Sequence, residues 1–305
     1  MEFDLAAVVT AVPPQARQFI GIPLALLGAV FLAVGAQLQH RGVHKVEART
    51  EDASRGGLQI RQLLLLLKRP SWLIGTIMLG LAVVLQLSSL YFSPITMVQP
   101  LGAIGLVITA IINSRVSHIK LKTPTIMAIV LCVGGVLVFV AVASFTTTSK
   151  PVTDRDLITI LVILAVVLVA LGIVFAVLRH RVRALFYVIA AGILYGFVAT
   201  LAKVVLGRLQ QSEFEWLTWT CVLALLLAAA LGGYFVQNAY SSGPPDLVIA
   251  GLTVVDPLVA VGIGIIVLDE AAGAPWWAIA TFIVSGAVAV CGVFLIAKTH
   301  PQIRV

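Results

Sequence analysis

Charge is scarce in this chain. Of its 305 residues only 11% are Asp, Glu, Lys or Arg, whereas about a quarter is usual in a soluble domain; 60% are hydrophobic and the mean hydropathy is +1.09. A water-facing shell cannot be built from so few charges, so Rossmann, barrel and sandwich enzymes are excluded and lipid is the solvent. Cysteine is scarce too. Cys132, Cys221 and Cys291 each sit in an apolar run, which removes both a disulfide framework and a thiolate cluster with ligand spacing. No G-x-x-x-x-G-K-[ST] loop exists to cradle phosphates, and no H-E-x-x-H or paired intramembrane aspartates exist for hydrolysis. The five histidines fall in loops or tails, no cofactor is implied, and the net charge of +7 needs no nucleic acid to explain it, because basic loops orient membrane proteins.

Long apolar runs are what the chain has. A span needs roughly 20 apolar residues, and the runs predict nine, at 20–39, 72–92, 95–114, 124–144, 157–178, 184–207, 216–240, 247–268 and 275–297. The expected fold is an all-α polytopic membrane protein of about nine transmembrane helices. Residues 1–19 carry Glu2, Asp4, Pro13 and Pro14, lack the basic start of a signal peptide and read as a retained N-terminal tail. A first membrane repeat follows over 20–144, containing a polar loop at 41–71. A connecting helix with its loops occupies 145–183, a second repeat 184–298 and a C-terminal tail 299–305. Fifteen of the twenty Lys and Arg residues fall on one set of alternate loops, four on the other and Lys203 within a span. The positive-inside rule then predicts an inner or plasma membrane protein with its N-terminus outside and its C-terminus cytoplasmic.

The second half echoes the first. Tyr91-Phe92-Ser93-Pro94 closes the second span as Ser241-Ser242-Gly243-Pro244 closes the seventh; Pro124 and Gly135 are matched by Pro275 and Gly286. Four spans, a connector and four more spans place corresponding helices in opposite directions, so two inverted four-helix repeats are predicted. That is an architecture of alternating access, with the substrate near the midplane.

Only Asp256 and Lys203 are expected within spans among the charged residues. Intramembrane acids usually face a cavity or a partner. Asp256 precedes Pro257, which frees the carbonyl of Thr253 and makes a cation or proton site there; a hydrogen-bonded structural acid is the alternative. Lys203 could snorkel toward Arg208 or pair with Asp256. Thr96 and Gln99 before Pro100 repeat the pattern of Thr253 and Asp256 before Pro257. Gln37, Gln86, Tyr195, Gln237 and Asn238, with Thr200 and Tyr240, could line the same cavity or join helices by hydrogen bonds. His40, His44, Glu47 and Glu51 share a helical spacing that would hold a divalent ion weakly, or else belong to a lipid-facing basic helix.

The stretch from Tyr91 to Ala103 resembles the drug/metabolite transporter superfamily, specifically its NIPA-like magnesium-transporter branch. Pro94, Val98, Pro100, Leu101, Gly102 and Ala103 match, and Lys203 falls where that branch also carries a lysine. Gln99 replaces a threonine of the pattern and Asp256 a neutral residue. Ser242-Gly243-Pro244-Pro245 and Val255-Asp256-Pro257-Leu258-Val259 are similar to the EamA-like exporter branch, whose tenth helix is missing here. The resemblance implies a secondary transporter of a small polar solute or cation, Mg2+ among them, not an enzyme. An organic metabolite, drug or lipid-linked substrate exporter, and a non-transporting scaffold for envelope proteins, stay open as alternatives, as does a homodimer.

Overall fold

The computed structural model describes residues 18–47, 70–116, 123–178, 184–212, 215–242 and 245–299. Among them are nine long helices and no strand. They are α1 (Gly21–Glu47), α2 (Pro70–Phe92), α3 (Ile95–Val116), α4 (Thr123–Thr146) and α5 (Asp154–Leu178), then α6 (Ala184–Gln210), α7 (Trp216–Ser242), α8 (Pro245–Ile266) and α9 (Trp276–Thr299). Each contains a stretch long and apolar enough to cross a bilayer, so this is a multi-pass membrane protein. α1 runs on to Glu47 rather than stopping at residue 39. His40, His44 and Glu47 thus lie on its backbone, while Glu51 and the rest of the polar loop fall outside the described residues. The first seventeen residues, the Gly243-Pro244 match and the tail after Thr299 are outside them as well.

Local chemistry sets the helix starts. Pro70 and Pro245 occupy first positions, where the missing N–H costs nothing, and Pro275 directly precedes α9. α5 begins three residues earlier than its apolar run because Thr153 and Asp156 form a capping box. The Asp156 carboxylate accepts from the Thr153 N–H and hydroxyl at 2.8 Å each, and the Asp156 N–H returns to the Thr153 hydroxyl. Trp216, Trp219, Trp276 and Trp277 stand exposed at the starts of α7 and α9, as interfacial rings do.

The packing has a pattern. α1 lies on α2 and α3, and α6 lies on α7 and α8; α3 meets α4 as α8 meets α9; α3–α8 and α4–α9 then join the two sets. The largest buried cluster is centred on α3, α4, α8 and α9, where Phe139 and Phe282 stack with ring centroids 4.7 Å apart. α5 is the least buried of the nine. It is tied to α6 through Leu157, Ile160 and Leu164 against Leu201 and Val204, and by an ion pair from Asp154 to Arg208.

Backbone contact between α4 and α9 depends on two glycines. A Cβ on Gly135 would stand 2.7 Å from both the Ala289 nitrogen and the Ser285 carbonyl, and one on Gly292 would overlap the backbone of Cys132. In lipid, such close approach is what holds helices together, since burial from water contributes nothing between them. Gly134, one position away, has open space around its Cα. Gly135→Val is therefore expected to destabilise the protein by about 1–3 kcal/mol, read as a lower melting temperature of the detergent-solubilised chain, whereas Gly134→Ala should leave it within the error of the measurement.

Candidate functional site

Two places concentrate polar chemistry. The first is the two-residue break between α2 and α3, at Ser93 and Pro94. A helix end leaves four N–H or four C=O groups without partners, yet α2 has no basic residue in its last turn and α3 no acid in its first. The partners come from distant sequence. Ile95 and Thr96 donate their backbone N–H groups to the two carboxylate oxygens of Glu270 at 2.7 and 2.8 Å, and the Thr96 hydroxyl adds a third bond of 2.6 Å. The N–H groups of Met97 and Val98 are satisfied by the Pro94 carbonyl. On the other side of the break Lys203 Nζ donates to the carbonyls of Leu90 and Ser93 at 2.7 and 2.6 Å and to the Ser149 hydroxyl at 3.1 Å. Gln210, one α6 stretch further on, donates to the Tyr91 carbonyl. An acid thus meets the positive end of α3 and a base the negative end of α2, the signs that helix dipoles favour.

Glu270 is held from behind as well. The chain leaves α8 through Asp269 in the left-handed region, φ 52°, and the Glu270 N–H bonds back to the Gly264 carbonyl at 3.0 Å. Its own carbonyl accepts from Thr148, between α4 and α5. Gly264 has to be bare, because a Cβ there would stand 2.5 Å from Ile95 and 3.0 Å from the Glu270 carboxylate. Burial pushes the Glu270 carboxyl above the ordinary carboxylate range, while the nearby Lys203 ammonium and the Thr96 and Ile95 hydrogen bonds pull it back.

Two expectations are corrected by this geometry. Arg208 joins Asp256 and Lys203 within a described span, because α6 runs on to Gln210, and it is 5% exposed; Glu270 lies in a loop, as its position after the eighth span predicts, yet is 2% exposed. Lys203 neither snorkels nor pairs with Asp256; at 7% exposure it bonds to the break. Thr96, expected beside a substrate, is engaged by Glu270. The sign pattern of the two bare helix ends is the signal that could have found Glu270.

The second place is the middle of α8. Asp256 lies eleven residues after Pro245 and ten before Ile266, near the centre of the helix. It faces α6, where Gly192 and Gly196 let the helices touch: a Cβ on Gly196 would stand 3.0 Å from the Asp256 carbonyl, and one on Gly192 3.4 Å from its nitrogen. Tyr195 is the neighbour that feels the Asp256 charge, and its ring packs on Gly232 of α7. Oδ1 of Asp256 is buried with no hydrogen-bond partner. On the next face of α8, Thr253 and Pro257 line a cavity of about 70 Å³ with Pro100, Ala103, Phe139 and Val290.

The other candidates are dispersed. Gln99 is buried on α3 near Pro100, and Gln37 and Gln86 are half-buried on the α1–α2 pair. Gln237 is exposed on α7, and Asn238 there donates to Tyr234 one turn back. Thr253 likewise donates to Ile249. Among the described residues no three His, Cys, Asp or Glu side chains are grouped to hold a metal ion.

A double-mutant cycle tests the first place. Glu270→Gln and Thr96→Val should be coupled by about 0.5–3 kcal/mol in unfolding free energy; simple additivity would mean that the two side chains do not interact.

Comparison with known proteins follows the same direction. A family model described as magnesium transporter NIPA matches residues 16–301. The chain is 26% identical over 254 residues to an uncharacterized protein of Corynebacterium glutamicum, covering 82% of this chain and 85% of that one. It is 28% identical over 120 residues to the probable magnesium transporter NIPA3 of Arabidopsis thaliana and 29% identical over 115 residues to NIPA5 of the same plant. Those matches cover 39% and 38% of this chain and 31% and 28% of the plant proteins, so less than a third of each plant relative's length is spanned. No solved structure matches significantly.

Proposed function

Because the chain belongs to the magnesium transporter NIPA family, a family of transporters and not of enzymes, we propose that it carries a divalent cation, Mg2+ first among the candidates, across the inner or plasma membrane by alternating access. The observation that carries this reading is the unpartnered Oδ1 of Asp256, buried at the centre of α8. A carboxylate left without a donor inside a bundle costs several kcal/mol unless something else approaches it. A cation is the partner that its charge calls for. Pro257 adds to the site by removing the donor that the Thr253 carbonyl would otherwise meet, and Tyr195 supplies a hydroxyl from α6. Gln99, beside Pro100 on α3, is the amide that the reading retains. Mg2+ keeps several waters and uses one or two carboxylates, so one acid with neutral oxygens suits it as cargo.

The paired contacts support alternating access. α1 on α2 and α3 corresponds to α6 on α7 and α8, and α3 with α4 to α8 with α9, the pairing expected if two inverted repeats meet at the α3–α8 and α4–α9 contacts. With the basic loops inside, the α2–α3 break and the α8–α9 connector face outward.

Asp256→Asn keeps the volume and removes the charge. Mg2+ uptake into proteoliposomes, followed with an entrapped indicator, is expected to fall roughly tenfold or more, a loss of about 1.4 kcal/mol per decade, with an unchanged gel-filtration profile. Uptake at the parent rate would remove Asp256 from the site; a parent protein that moves organic solutes but no divalent ion would replace the cation reading with an exporter.

A further inference from the structure

We propose that the Lys203 and Glu270 clamp on the α2–α3 break is the outer gate of this transporter: its bonds hold that end shut and part when that end opens. The inference rests on the transport reading above and adds to it the device that decides which side is closed.

The bonds that tie Lys203 to α2 and Glu270 to α3 all cross from one half of the chain to the other. Lys203 on α6 and Glu270 after α8 belong to the second half; Leu90, Ser93, Ile95 and Thr96 belong to the first, and Ser149 and Thr148 to the segment that follows α4. If the halves rock about the α3–α8 and α4–α9 contacts, bonds between halves at one end have to break while that end opens. The helix-to-helix contacts within each half can ride along unbroken.

The clamp also stands over the path. Ile95, Met97 and Val98 are fully buried directly beneath it, and Pro100, one turn further along α3, already lines the cavity beside Thr253 and Pro257. A small second pocket lies against Lys203, Glu270, Ser149 and Asp156. Water reaching it could hydrate the two charges once they separate, so opening does not strand them in lipid.

The test reads gating separately from transport. In a chain whose three native cysteines are replaced by alanine, Met97→Cys puts a reporter under the clamp, and a membrane-impermeant maleimide is added to right-side-out vesicles. Labelling should be slow in this parent and in Lys203→Arg, and roughly tenfold or more faster in Lys203→Met and in Glu270→Gln. Folded Lys203→Met and Glu270→Gln proteins that label as slowly as the parent would overturn the proposal. Should those variants aggregate, the decision passes to Tyr91→Cys with Gln210→Cys, a pair that joins α2 to α6 at the same end, linked by a short reducible thiosulfonate cross-linker. Mg2+ uptake should stop on cross-linking and return on reduction; uptake that continues in the cross-linked protein refutes the gate. Accelerated labelling in a protein that moves no Mg2+ would count against the cation reading alone, and Mg2+ uptake with clamp-independent labelling against the gate alone.

Discussion

A tight turn between two spanning helices uncovers up to eight backbone groups, and where the turn is buried no water is there to bond them. The break at Ser93 and Pro94 is where this chain meets that constraint, and much of the arrangement around it follows. The Ile95 and Thr96 N–H groups need an acceptor, and Glu270 is it; the Leu90 and Ser93 carbonyls need a donor, and Lys203 is it. Each charge would be costly where it lies if the other groups were missing, because truncating one partner of a buried set leaves the rest uncompensated. The turn through Asp269, the bare Gly264 and the Thr148 bond to the Glu270 carbonyl can all be understood as what delivers one carboxylate to one helix end. α1 joins the same knot, with its Gly21 carbonyl accepting from the Ser89 hydroxyl at 2.7 Å.

Packing elsewhere obeys a different rule. With lipid as apolar as leucine, helices gain little from hiding apolar surface from each other, so the tight contacts are made where backbones touch. Gly135 and Gly292 do this for α4 and α9, and Gly192 and Gly196 for α6 and α8. The second pair has a further consequence. By bringing α6 against the Val255 and Val259 side chains and the Asp256 backbone, it places the Asp256 stretch at an interface that carries Tyr195 and, among the described residues, no ion pair to Asp256.

The nine helices were legible because a span is a property of about twenty consecutive residues, and composition alone resolves it. Asp256 was legible for the same reason, as an acid in the middle of an apolar run. Glu270 was not. It sits four residues past the end of α8, where an acid normally meets water, and what buries it is the return of the connector onto α3, 174 residues away in sequence. Lys203 was visible as an anomaly but not in its partners, since rise along a helix gives depth and says nothing of which neighbour's end lies within reach of a four-carbon stem. The helix ends held the missing clue: α2 closes without a base and α3 opens without an acid. Two uncapped ends separated by two residues call for one charge of each sign from elsewhere in the chain.

On the transport reading, the two polar places have to be linked energetically, because a gate that ignores the cargo would leak or stay shut. Ligand-driven switching from one part in a hundred to ninety-nine requires about 10⁴-fold tighter binding to the favoured state, about 5.5 kcal/mol. Each charged hydrogen bond of the clamp is worth about 1.5–3 kcal/mol net, so the number of them that part on opening sets how much of that binding energy is needed. α6 is the element that can carry the coupling. It bears Gly192, Tyr195 and Gly196 against the Asp256 stretch of α8 and, two turns further on, Lys203 against the end of α2. α6 therefore touches both polar places, the Asp256 stretch through Gly192 and Gly196 and the break through Lys203.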